Sequence, residues 1–142
     1  MQVSEIMNKN VVTVSPEETV ALASRLLSRH NIGSMPVCRR DGVICGVITD
    51  RDIVLRCVAN GCDPHDTPVR DVMSRSVVTV SPDDSISKAS ELMGQAQVRR
   101  LPVAADGRLV GVVAMADMTR RGSCRMEAAD ALCGISSNLR KK

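Results

Sequence analysis

The chain contains no phenylalanine, tyrosine or tryptophan. Its core must therefore be assembled from Val, Ile, Leu, Ala, Met and Cys, without the large area that each aromatic ring would bury. The same absence excludes aromatic stacking as a way to hold a nucleobase, so any base bound here lies between aliphatic side chains and is read by backbone groups. No apolar run approaches the roughly 18 residues of a spanning helix, and the first residues lack a basic-then-apolar secretion pattern. A cytoplasmic protein that does not engage a membrane is expected. Histidine occurs only at His30 and His65, and neither shows zinc-like spacing with the cysteines. No Gly-x-Ser-x-Gly, no P-loop and no carboxylate cluster on one helix occurs, which points away from an enzyme.

What is present is ordinary globular composition, 44% hydrophobic and 25% charged over 142 residues. A chain of this length can bury roughly 68–70% of its extended surface. The net charge of +3 is too weak to argue for nucleic acid. The cysteines, Cys38, Cys45, Cys57, Cys62, Cys124 and Cys133, form no Cys-x-x-Cys pair and sit in no secretory context. They read as buried or incidental thiols. A thiol-based redox or metal sensor built on Cys57, Cys62, Cys124 and Cys133 is the alternative from another functional class.

The most informative stretch runs from Gly46 to Arg56: a short apolar strand, then Thr49-Asp50-Arg51-Asp52, then a helical pattern. A hydroxyl, two carboxylates and a guanidinium meet where a helix N-terminus would expose N–H groups, an arrangement suited to helix capping or to an anionic ligand. Sixty-five residues on, the chain repeats the stretch, with Gly46 returning as Gly111 and Asp52 as Asp117, while Thr49 becomes Ala114.

The whole first unit has this duplicated grammar. Val3 to Met7 suggests one helical turn, echoed by Val69 to Met73. Val11-Val12-Thr13-Val14-Ser15-Pro16 predicts a short strand, and Val77 to Pro82 repeats it letter for letter. A helix follows, for which Ser15 and Thr19 are both candidate caps; Thr19 is preferred because the apolar series begins directly after it. It ends near His30-Asn31, with Gly33 as a stop signal. Met35-Pro36-Val37-Cys38, an Asp41-Gly42 turn and Val43 to Ile48 predict a hairpin, and Asp50 to Asn60 a closing helix. Helix, Leu101-Pro102-Val103 strand and Asp106-Gly107 turn return in the second unit.

The expected organisation is repeat 1 over 1–62, a turn-rich linker over 63–68, repeat 2 over 69–121 and a helical extension over 122–142. In the extension, Met126, Ala129, Leu132 and Cys133 are spaced for one helix face.

These paired signatures resemble a tandem CBS domain pair, or Bateman module: Val-Val-Thr-Val-Ser-Pro, the hydrophobic-Pro-Val strand, Asp-Gly, and Gly-hydrophobic-hydrophobic-x-x-x-Asp entering a helix. The resemblance covers about residues 1–121. It implies a mixed α/β (α+β) fold of two βαββα repeats packed sheet to sheet about a pseudo-two-fold axis, with a C-terminal helix added. It also implies a non-enzymatic regulatory module whose clefts bind an adenosine-containing ligand such as AMP, ADP, ATP, S-adenosylmethionine or NAD.

Residue by residue, the resemblance gives the ribose hydroxyls to Asp52 and Asp117, ribose or phosphate to Thr49, and phosphate to Arg99 and Arg100. Arg51, Pro36 and Val12 complete the ligand-binding set. Where unit two has the arginines, unit one has Gly33-Ser34; where unit one has Thr49, unit two has Ala114. One composite site is expected rather than two equal ones. No cofactor is required beyond the adenine nucleotide as regulatory ligand. No residues remain for an effector domain, so the output is expected to pass to a separate effector protein. The resemblance and the apolar-faced tail together suggest a homodimer.

Overall fold

In a computed structural model, the structure describes residues 1–120, 129 and 131–135. The described chain is mixed α/β, with two small antiparallel sheets, and it divides into two compact units. One comprises Val12–Val77; the other comprises Met1–Val11 with the chain from Val78 onward.

The Val12–Val77 unit contains α1 (Val20–His30), β1 (Ser34–Cys38), β2 (Ile44–Thr49) and α2 (Asp50–Ile53), which runs on as a π-turn over Val54–Val58. Thr19 caps α1, its Oγ1 accepting from the Leu22 N–H at 3.1 Å. The helix closes on Asn31 in the left-handed region, so the stop signal is Asn31 and not Gly33. The expected closing helix over 50–60 is α-helical only for its first turn; from Val54 the ladder widens, with the Ala59 N–H donating to the Val54 carbonyl.

The expected strand at Val11–Val14 shrinks to a single parallel bridge, Val14 to Val37. Val14 N–H donates to the Pro36 carbonyl, and Cys38 N–H to the Val14 carbonyl. The next rung towards Val12 would need an N–H on Pro36, which proline lacks. The second repeat fails identically: Val80 bridges Val103, and Pro102 ends the ladder.

On the other edge of β2, Val47 and Ser74 exchange backbone bonds of 2.9 Å. The single-turn helix Val69–Asp71 precedes that edge, and Val69, Val72 and Met73 are buried in one core with Val14, Val20, Leu27, Met35, Val37 and Ile48. Arg56 holds the segment from the helix side, donating to the Val72 and Met73 carbonyls at 3.1 Å each.

The other unit follows the same plan with α3 (Ile86–Ala96, capped by Ser85), β3 (Arg100–Ala105), β4 (Arg108–Ala114) and α4 (Met115–Arg120). Its edge partner is Asn8, paired with Val112, and its core takes Val3 and Ile6 from the single turn Val3–Glu5. The leading turn of each sequence repeat thus completes the sheet and core of the other repeat.

Residues 131–135 are helical, with Ala131 fully buried in this core. The face expected from spacing is not the buried one. Ala129, Leu132 and Cys133 are exposed, and Met126 lies outside the described residues. Small residues decide the seating instead: a Cβ on Gly134 would fall 2.5 Å from the Gly94 Cα of α3.

Candidate ligand site at the strand-to-helix junctions

The β2–α2 junction is closed by a reciprocal capping box. Thr49 Oγ1 accepts from the Asp52 N–H at 3.0 Å, and Asp52 Oδ2 accepts from the Thr49 N–H at 3.0 Å. Both side chains are half-buried. The box fixes the Asp52 carboxylate through one oxygen and leaves Oδ1 as a further acceptor.

Asp50, exposed, adds a second carboxylate, with its Oδ1 accepting from the Arg51 N–H at 2.7 Å. Arg51 is exposed beside it. The free N–H groups of this first turn are already met by oxygen acceptors, and an incoming phosphate would face two carboxylates. Hydroxyl donors suit Asp52 better than anions do.

The register brings Ser34 directly opposite Thr49. The Gly33 carbonyl accepts from the Asp50 N–H at 3.0 Å, and a Cβ on Gly33 would sit 3.4 Å from Asp50 Oδ2. Pro36 is buried on β1 opposite Val47, and Val12 is half-buried against the same core. Thr49, Arg51, Asp52, Pro36 and Val12 therefore share one compact unit.

The β4–α4 junction, in the other unit, carries half of the box. Asp117 Oδ2 accepts from the Ala114 N–H at 3.1 Å, while Ala114 offers no hydroxyl in return. Arg100 lies opposite Ala114 in the ladder, and the Arg99 carbonyl accepts from the Met115 N–H at 2.8 Å. Both arginines are exposed. By register, Arg99 and Arg100 hold at this junction the positions that Gly33 and Ser34 hold at the first.

The two junctions differ in charge. The first has two carboxylates and one guanidinium (Asp50, Asp52, Arg51), the second one carboxylate and two guanidiniums (Asp117, Arg99, Arg100). Sequence reasoning noted Asp50 at this junction and Ser34 opposite the arginines of unit two, but assigned neither to the ligand-binding set. Asp50 was visible as a second acid beside Asp52, whereas Ser34 required the strand register, which the bulge between Val37 and Cys38 shifts by one residue.

Known proteins share the sequence pattern and the fold. The CBS domain family model matches residues 3–58 and 69–123. The CBS domain-containing protein YhcV of Bacillus subtilis is 43% identical over 134 residues, covering 94% of each chain. The crystal structure of Hypoxic Response Protein I with two coordinated zinc ions superposes with a TM-score of 0.79 at 36% identity, over 85% of this chain and 98% of that one. The CBS domain pair of protein MJ0100, in complex with 5-methylthioadenosine and S-adenosyl-L-methionine, gives a TM-score of 0.73 at 26% identity, over 84% and 94%.

Proposed function

The chain belongs to the CBS domain family, and from that premise we propose that it is a non-catalytic regulatory module binding an adenosine-containing ligand. The observation that carries the proposal is the Thr49–Asp52 junction, where a carboxylate held by one oxygen offers the other to vicinal hydroxyls. The adenosyl ligands of the MJ0100 pair support this ligand class.

In this reading Asp52 takes the ribose, Thr49 adds a hydroxyl contact, and the half-buried Val12 supplies aliphatic surface for a base that no aromatic can stack upon. Arg99 and Arg100 favour ligands with phosphates, since paired guanidiniums match phosphate oxygens. The output passes to a separate effector protein. Self-association as a closed two-fold dimer fits the exposed Leu132. Light scattering that gives the monomer mass, with and without ATP, removes that part of the proposal.

The metal-sensor alternative includes Cys124, which lies outside the described residues. Among the described residues no group of three or more His, Cys, Asp or Glu is placed to hold an ion. The zinc belongs to the Hypoxic Response Protein I structure.

Calorimetry with AMP, ATP and S-adenosylmethionine tests the binding proposal. A hydrogen bond to a charged group contributes roughly 1.5–3 kcal/mol. Asp52→Ala is therefore expected to weaken the tighter ligand by about ten- to a hundredfold or more, at roughly 1.4 kcal/mol per tenfold. Asp117→Ala is expected to do much less, because its junction lacks the threonine. Arg100→Ala should weaken ATP and AMP while leaving adenosine nearly unchanged. Equal losses from the two aspartate variants would mean equivalent sites, and no heat from any of the three ligands would remove the adenosyl reading.

A further inference from the structure

The helix that begins at Asp50 ends in a cap that brings two cysteines together. Gly61 is left-handed at φ 72°. The Cys62 N–H donates to the Cys57 carbonyl at 3.0 Å, and the Gly61 N–H to the Val58 carbonyl at 3.1 Å. These are the paired backbone bonds of a Schellman motif, in which the residue after the glycine folds back against the residue that opens the motif. Here those two residues are Cys62 and Cys57. The Cys57 thiol is fully buried and lies over the backbone of its partner, donating to the Cys62 carbonyl at 3.5 Å. Cys62 is exposed.

From this juxtaposition we propose that Cys57 and Cys62 are a dithiol that closes to an intrachain disulfide on meeting a small disulfide of the glutathione class. The exposed Cys62 thiolate attacks one sulfur of the small disulfide, forming a mixed disulfide and expelling one small thiolate. The Cys57 sulfur then attacks the Cys62 sulfur; its proton goes to the first thiolate, and a second small thiolate departs to take the proton that Cys62 gave up. Two protein thiols are oxidised and one small disulfide is reduced to two thiols. The order follows from access within the pair, because Cys62 is exposed while Cys57 is buried against its backbone, in position to resolve the adduct.

The competing pair lies in the β1–β2 hairpin. Burial pushes the Cys38 thiol up to about 11, with Cys45 beside it acting in the same direction. Burial also raises Cys45, whose thiol donates to the Val37 carbonyl at 3.4 Å. Thiolate is correspondingly scarce there. The inference stands on the helix cap alone and does not depend on the ligand reading.

The test uses the full chain, reduced and then equilibrated with mixtures of reduced and oxidised glutathione at neutral pH, acid-quenched and analysed by intact mass and peptide mapping. The expected product has lost the mass of two hydrogens and yields a peptide joining Cys57 to Cys62. Cys62→Ser keeps the backbone cap and changes only an exposed side chain, so it should fold normally and leave Cys57 unlinked. Cys57→Ala, if it folds, should arrest at a glutathione adduct on Cys62. A wild-type chain that retains that adduct with Cys57 free, or in which Cys38 and Cys45 link first, overturns the proposal.

Discussion

At the junction of β2 and α2, Thr49 and Asp52 each satisfy the other's backbone N–H before any ligand is considered. Both side chains therefore contribute to stability apart from the affinity proposed for them, and substitutions must separate the two. Replacing a Thr cap by Ala costs roughly 0.5–2 kcal/mol. Thr49→Ala should lower the urea midpoint accordingly, whereas Thr49→Ser, which keeps the hydroxyl, should restore most of it. If the hydroxyl also meets the ligand, Thr49→Ala loses affinity for AMP and Thr49→Ser retains it. A variant that is destabilised yet binds AMP like the wild type would confine Thr49 to capping. Asp117 gives the internal comparison: it accepts from the Ala114 N–H, and an alanine at the threonine position already exists in the same chain.

At the scale of elements, the sheets are small because proline and glycine set their limits. Pro36 and Pro102 stop the parallel rung on one edge, and Gly46 and Gly111 admit a neighbouring segment on the other. A Cβ on Gly46 would stand 2.7 Å from Met73 Sδ and 2.8 Å from the Ser74 carbonyl oxygen. The thioether can swing aside, but the carbonyl is held by the Val47 bridge and cannot move without breaking it.

Gly46→Ala should therefore cost roughly 1–3 kcal/mol by overpacking. Gly111→Ala should act in the same direction, with Met7 Sδ at 2.9 Å and the Asn8 oxygen at 3.0 Å. Chemical denaturation checks both, and an unchanged midpoint for Gly46→Ala would show that the edge segment yields.

Local chemistry was readable in advance at the Thr19 cap and at the hairpins around Asp-Gly. The π-turn at Val54–Val58 was not readable, since Val, Leu, Arg and Cys carry no signal for a widened ladder. Nor was the lost strand at Val11–Val14, because β-branched residues propose a strand while the donor it lacks belongs to Pro36, more than twenty positions away.

At the scale of the molecule, the compact units and the sequence repeats have different boundaries. Val69, Val72 and Met73 open the second repeat but are buried in the core of the first, and Val3 and Ile6 open the first but are buried in the core of the second. No aromatic ring is present to compensate for a missing segment, and a domain of about 60 residues buries only about 60% of its extended surface. Losing one of these turns removes two or three buried aliphatic side chains, each worth roughly 1.5–3 kcal/mol.

A fragment cut at the repeat boundary, 1–62, retains a leading turn that belongs to the other core and lacks the one its own core needs. A fragment over 12–77 has the same first repeat but carries the whole of its core, the Ser74 edge and the Arg56 anchor. The expected outcome is that 12–77 unfolds cooperatively at a measurable denaturant midpoint, while 1–62 shows a broad, low-amplitude transition by circular dichroism. The fragment 68–142 should behave like 1–62, for want of Val3 and Ile6. Equal, sharp transitions for 1–62 and 12–77 would mean that the exchanged turns contribute little, and that each repeat folds on its own residues.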